Sequence, residues 1–385
     1  MKLREILSTA RMRFSSWVKT HRRGLLVTFS YLFSFSLGAG YLLLAPRFSL
    51  PLLNPLGTFG TKEPEPVLAA VVKDVPHPLS GIYFSQEEAK FWQAKRPLAV
   101  MIDNHELARR YQHGLQGADV VYEAVAEGGI TRFLAVFHRQ NVSKIGPVRS
   151  ARVHFAGWSM EFSAYYSHVG GAGKPGPADV FTFIRQNSIL SLNQFTLGSP
   201  TYTFGGNVLF RNGAVLSHIN YTSTAKLWAG AQKLYPGTNK MPKLTSWKFK
   251  AEDPYALRPK SQKITFQFWG WPTAYNGQWV YERISNSYLR FQGGAKHLDQ
   301  ATKKQLAAKN VVLAYMNERA AGDGTSHRLY DETGSGNAVV YRDGKRILAT
   351  WKRSSLKART KFYKRGTTQE ISFNRGLTWI EVLSN

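Results

Sequence analysis

Two arginines stand three residues apart just after a Gly-Pro pair, in Gly146-Pro147-Val148-Arg149-Ser150-Ala151-Arg152. A guanidinium forks onto a carboxylate or phosphate through two parallel N–H bonds. Arg149 and Arg152 are therefore the leading candidates for holding an anion. Positions three apart share a face on the first turn of a helix, and the spacing predicts that placement. Acids lie close by in sequence: Asp103, Glu123 and Glu127 sit at or near the ends of apolar runs, and Arg132 follows. Carboxylates in such places are costly unless paired, hydrogen-bonded or metal-bound. Three readings stay open: ion pairs with Arg132, Arg149 or Arg152, oxygen ligation of a divalent ion, and general acid–base work. Asn104, His168 and His218, in loops of the same half of the chain, join the candidate ligand-binding set. His105, His168 and His218 follow no metal-ligand spacing, so hydrogen-bonded structural roles are expected and no metal site is predicted.

These residues need a scaffold. Leu98–Ile102 is a short apolar run ending at Asp103-Asn104-His105. Val120–Val125 and Phe133–Phe137 have the length of strands buried on both faces, with Glu127-Gly128-Gly129 as the turn between them. Tyr165–Val169 is a fourth strand, leading into Gly170-Gly171. Polar groups just past buried strands lie where open α/β sheets bind ligands. Ala178–Gln186 and Thr224–Leu234 read as helices, the second with Thr222 or Ser223 as N-cap. Residues 79–240 are thus expected to form an α/β or α+β domain. GxxxxGK[ST] does not occur at the glycine pairs, and there is no GxSxG elbow.

Residues 245–385 read as a second, mainly antiparallel β (α+β) domain. Ile264, Phe266 and Phe268 alternate with polar residues, as in a half-buried strand. Tyr288–Phe291 and Val311–Tyr315 are further strands, with a short helix expected at Gln300–Ala308. Val339–Arg342 and Arg346–Trp351 flank Asp343-Gly344, a two-residue type I′ signature. A second hairpin is expected from Glu370–Phe373 and Thr378–Leu383. Trp269, Trp271, Trp279, Trp351 and Trp379 serve as core or as sugar-stacking surface. The lysines and arginines from Lys345 to Arg365 form a solvated face or a surface for anionic polymer or lipid headgroups.

The 385 residues carry a net charge of +27, and there is no cysteine, which excludes disulfides, thiolate metal sites and cysteine nucleophiles. Residues 1–23 hold seven lysines and arginines against one glutamate at helical apolar spacing, a basic amphipathic segment expected on the cytoplasmic side. Gly24 to Ala45 contains no charged residue. At about 1.5 Å per residue it matches a hydrocarbon core of roughly 30 Å, so 24–45 reads as a transmembrane signal anchor. The basic flank places the N-terminus inside and the bulk extracytoplasmic. Residues 46–78 form a Pro-rich linker. Beyond residue 23 the chain keeps +21 of its charge. The expected partners are therefore the cytoplasmic membrane and an anionic cell-wall polymer or lipid headgroup, and not nucleic acid.

The runs RPLAVMIDNH, GADVVYEAVAEGGITRFLAVF, KIGPVRSAR and SHVGG, continued by FRNG, SHINYTS, GGAKHLDQATKKQLAAKNVVL, GSGNAVVYRDGKRILATWKRSS and ISFNRGLTWIEV, carry a resemblance. They are similar to the YerB-like family of bacterial proteins described as lipoproteins, which has paired N- and C-terminal domains of unknown function. The resemblance implies an extracytoplasmic, membrane-tethered protein over about residues 78–384. By that resemblance Arg211 and Asn220 join the candidate ligand-binding set, and Thr131, His297, Asp299, Asn310, Trp351 and Trp379 are further motif positions. Family lipoproteins need a lipidated cysteine, which this chain lacks, so the anchor takes that role.

The leading expectation is a non-enzymatic cell-envelope protein that binds a phosphate- or carboxylate-bearing ligand at the Arg149/Arg152 loop, without a cofactor. The alternative is a Mg²⁺-dependent phosphotransferase or hydrolase acting on wall polymer or polyprenyl phosphate, a layout similar to that of the LytR-CpsA-Psr phosphotransferases. There Asp103 or Glu127 would hold Mg²⁺ or take a proton. A third reading is a scaffold for envelope protein partners.

Overall fold

Strands from both halves of the chain lie side by side in one sheet of ten. The computed structural model describes residues 71–204 and 220–385. In chain order the strands of the two main sheets are β1 (Leu98–Asp103), β2 (Val120–Glu127), β3 (Ile130–Phe137), β4 (Tyr165–His168), β5 (Ser191–Asn193), β6 (Lys263–Phe266), β7 (Gly277–Glu282), β8 (Ser287–Gln292), β9 (Ala295–Lys296), β10 (Ala307–Ala308), β11 (Asn310–Met316), β12 (Gly334–Arg342), β13 (Lys345–Arg353), β14 (Lys361–Lys364) and β15 (Thr378–Ser384). The large sheet runs β14-β13-β12-β11-β15-β2-β3-β1-β4-β5. A smaller sheet runs β6-β7-β8-β9, with β10 against β8. The helices are α1 (Gln86–Gln93), α2 (Val153–Met160), α3 (Val180–Gln186), α4 (Gln194–Leu197) and α5 (Thr224–Leu234). The described chain is mainly β, with few helices.

Period-2 patterning decides which residues go where. In β1, Leu98, Val100 and Ile102 face one core and Ala99 and Met101 the other, and β2 divides in the same way. One core is closed by Leu227, Trp228 and Ala231 of α5 and by the small sheet. The opposite core is closed by Phe155 and Trp158 of α2 and by Val180 and Ile184 of α3. Cover on both sides explains why apolar residues occupy both faces of these strands instead of alternating with polar ones. Ser223 caps α5 as expected, accepting from Lys226 N at 3.2 Å. Asp179 caps α3 through Phe181 N and Thr182 N.

Two expectations are corrected. Residues 300–308 are not a helix: Leu298-Asp299 pairs with Lys304-Gln305, and β10 joins β8. The Asp299 carboxylate accepts from Ala301 N at 2.9 Å and its carbonyl from Lys303 N at 2.7 Å, closing a tight turn. Strand pairing overrides the local helix preference of this stretch. Nor do Glu370–Phe373 and Thr378–Leu383 form a hairpin. β15 inserts between β11 and β2, parallel to both, because its residues are buried on both faces. Phe373-Asn374 pairs instead with Phe249-Lys250.

Among the described residues no helix is long and apolar enough to cross a membrane. The basic segment 1–23, the anchor 24–45 and the linker as far as residue 70 lie outside the described residues, as do Arg211 and His218.

Candidate functional site

The end of β1 organises the site. Asp103 N donates to Pro147 O and Arg149 N to Met101 O, at 2.9 and 3.0 Å, so residues 146–149 run beside the strand as an extra extended segment. This segment places Arg149 Nε 3.1 Å from Asp103 Oδ2. Asp103 is buried, whereas the Arg149 side chain keeps 25% of its surface exposed. Val148 N donates to Asn220 O at 2.7 Å, bringing Asn220, whose Oδ1 is buried without a donor, alongside the same segment.

Arg152 goes elsewhere. It is the N-cap residue of α2 with extended backbone, so the expected shared helical face with Arg149 does not form. Its guanidinium and that of Arg132 both close on Glu127, Arg132 Nη2 at 2.5 Å. Burial pushes both arginines down to about 10. The 322–327 loop folds over this cluster: Gly128 N donates to Ser326 O, and His327 lies between Asp323 at 3.0 Å and Glu127 at 3.6 Å. Lys174 Nζ bonds the Asp323 carbonyl at 2.7 Å.

Glu123 is the surprise. It belongs to neither arginine cluster. β2 and β15 are parallel neighbours in register, and Glu123 is the register partner of Glu381. Strand spacing of about 4.8 Å therefore sets two fully buried carboxylates side by side. Arg290 of β8 enters between them, bonding Glu123 and, at 2.5 Å, Glu381 Oε1. Trp279 Nε1 adds a bond to Glu381 at 2.8 Å. Asn104, Thr131 and Gln292 donate to Glu123 Oε1 at 2.9, 2.6 and 2.9 Å. The Arg290 guanidinium also lies 4.7 Å from the Trp379 ring and 5.1 Å from that of Trp279. Burial, with Glu123 close by, drives Glu381 well above the carboxylate range against the pull of Arg290. One guanidinium thus serves two acids.

Residues 79–237 match the "Protein of unknown function (DUF3048) N-terminal domain", and residues 264–380 match the corresponding C-terminal domain. The chain belongs to this paired-domain family. It is 29% identical over 322 residues to "Putative lipoprotein YerB" of Bacillus subtilis (strain 168), covering 81% of this chain and 87% of that protein. Its fold matches the crystal structure of YerB from Bacillus subtilis with a TM-score of 0.67 and 25% identity, over 80% of this chain and 97% of that one.

The two DUF3048 segments meet in the network just described, and their motif residues divide by role. His168 is buried, with Nδ1 on Gly170 O and Nε2 on Ser191 Oγ, both at 2.7 Å. His297 sits between Arg290 and Gln112 Oε1. Asp299 accepts from Gly114 N and Gln116 N. Asn310 bonds Asn374 O and Thr378 Oγ1. Trp351 and Trp379 are core. These bonds join separate segments of the chain. Sequence reading missed Arg290, Gln292 and Glu381. The signal was available: in Ser287–Gln292 an inward Tyr288 carries Arg290 and Gln292 inward by period 2.

Proposed function

We propose that this DUF3048 protein is anchored at the cytoplasmic membrane and works on the extracytoplasmic side by binding an anionic envelope ligand at Arg149. The uncharged 24–45 stretch, the +21 charge beyond residue 23 and the naming of its relative as a lipoprotein support the location. The observation that carries the ligand reading is the state of the three arginines. Arg132 and Arg152 are buried against Glu127, whereas Arg149 lies against Asp103 with a quarter of its side chain exposed. A guanidinium oriented by an acid at its inner edge is preorganised for a phosphate or carboxylate at its outer edge. Asp103 and Glu127 lie against arginines, which favours binding over acid–base or Mg²⁺ chemistry.

A thermal-shift screen of the full chain in detergent tests this, with and without Mg²⁺, against phosphate-rich wall polymer, anionic lipid and polyprenyl phosphate. A ligand at about 100 times its Kd adds roughly 2.7 kcal/mol. A shift without Mg²⁺, lost in Arg149→Ala, is expected. A shift that requires Mg²⁺, or none with any ligand, would contradict the reading.

A further inference from the structure

We propose a second binding site, for a phosphate-bearing polyol or sugar unit, in the cleft between the 106–110 loop and the β8–β9 turn. The cleft has a volume of about 410 Å³ and is lined by Glu106, Arg109, Arg110, Gln292, Lys296 and Gln300. That size falls in the ordinary range for small-molecule pockets. Three cations face one acid, a net charge of +2, which matches the roughly −1.5 to −2 of a phosphomonoester at pH 7. A monocarboxylate would leave a positive charge uncompensated.

Two half-satisfied side chains sharpen the chemistry. Arg109 Nε donates to Asn104 Oδ1 at 3.3 Å, and its guanidinium stacks 4.8 Å from the Tyr275 ring. Its Nη2, also buried, has no acceptor among the described residues. Gln292 is 3% exposed, and its Nε2 is committed to Glu123 at 2.9 Å. A carboxylate can only accept, so this bond fixes which end of the amide is oxygen. Gln292 Oε1 is left buried without a donor. A buried cationic donor that needs an anion and a buried acceptor that needs a hydroxyl line one cleft. A phosphate ester of a polyol or sugar carries both groups.

The inference does not rest on Arg149. Asp103 holds Arg149 and Asn104 holds Arg109, so adjacent residues at one strand end keep the two guanidiniums on separate partners. Equilibrium dialysis of the full chain in detergent against labelled sn-glycerol 3-phosphate and glucose 1-phosphate tests it, and the two probes separate polyol from sugar. Saturable binding of at least one is expected, with inorganic phosphate competing about tenfold more weakly and glycerol not competing. Lys296 and Arg110 are exposed, so Lys296→Ala and Arg110→Ala should fold and each weaken binding about tenfold. Overturning results are no saturable binding of either probe, or binding indifferent to both cleft variants.

Discussion

Arg290 donates to Glu123 across 167 residues of sequence, and the same guanidinium reaches Glu381 at 2.5 Å. The parallel register of β2 and β15 makes this contact necessary, because it sets the two carboxylates side by side in the interior. The two DUF3048 segments are tied together by hydrogen-bonded sheet and by this buried charge.

Removing the cation should therefore be severe. Arg290→Met keeps much of the apolar contact with Trp279 and Trp379 but leaves Glu123 without its charge partner. A loss of about 3–5 kcal/mol is expected, read from the denaturant midpoint at unchanged slope. Adding Glu123→Gln to Arg290→Met should recover part of it. A cost below about 1 kcal/mol for Arg290→Met would mean that the network is not what joins the segments.

The turn that carries Glu127 gives a paired test. Gly128 and Gly129 both have positive φ, 54° and 79°, as a two-residue type I′ hairpin requires. A Cβ at Gly129 would come 2.8 Å from the Trp271 carbonyl and 2.7 Å from Pro272 Cδ, whereas at Gly128 it would meet only Ser326 Cβ at 3.8 Å. Gly128→Ala should cost about 1–2 kcal/mol from backbone strain alone. Gly129→Ala should cost clearly more, measured by thermal or chemical unfolding. Equal costs would contradict the close approach of the 271–272 segment.

Glu332 predicts a pH dependence. It is 7% exposed and lies 3.3 Å from Arg353 Nη1, yet burial pushes it up to about 8 against that pull. A group whose folded value is raised contributes stability that is complete below its unfolded value, about 4.5. The contribution is lost as pH rises from there through about 8, by about 1.4 kcal/mol per pH unit. Glu332→Gln cannot ionise, so its stability should fall less steeply between pH 5 and 8, read from denaturant midpoints across that range. Parallel profiles for the two proteins would refute the assignment.

How much of this was legible follows from what local pattern encodes. Runs with apolar residues on both faces announced β1, β2 and β3, and Asp343-Gly344 announced its hairpin, because period and turn chemistry are local signals. The partner of Glu123 was not legible. Arg132, Arg149 and Arg152 were nearer in sequence, and only the insertion of β15 beside β2 brings Glu381 and then Arg290 to it. The same insertion defeated the expected second hairpin. Arg149 and Arg152 were singled out as a pair sharing one face, but the extended segment from Gly146 to Ala151 sends them to different acids.

The most direct test of the functional account is the affinity of the full chain for phosphate-rich wall polymer, measured against salt for wild type, Arg149→Ala and Arg149→Lys. The account predicts binding that weakens with salt. It predicts a loss of at least about tenfold in Arg149→Ala and partial retention in Arg149→Lys, which keeps the charge but not the fork. Unchanged affinity in a well-folded Arg149→Ala would contradict it.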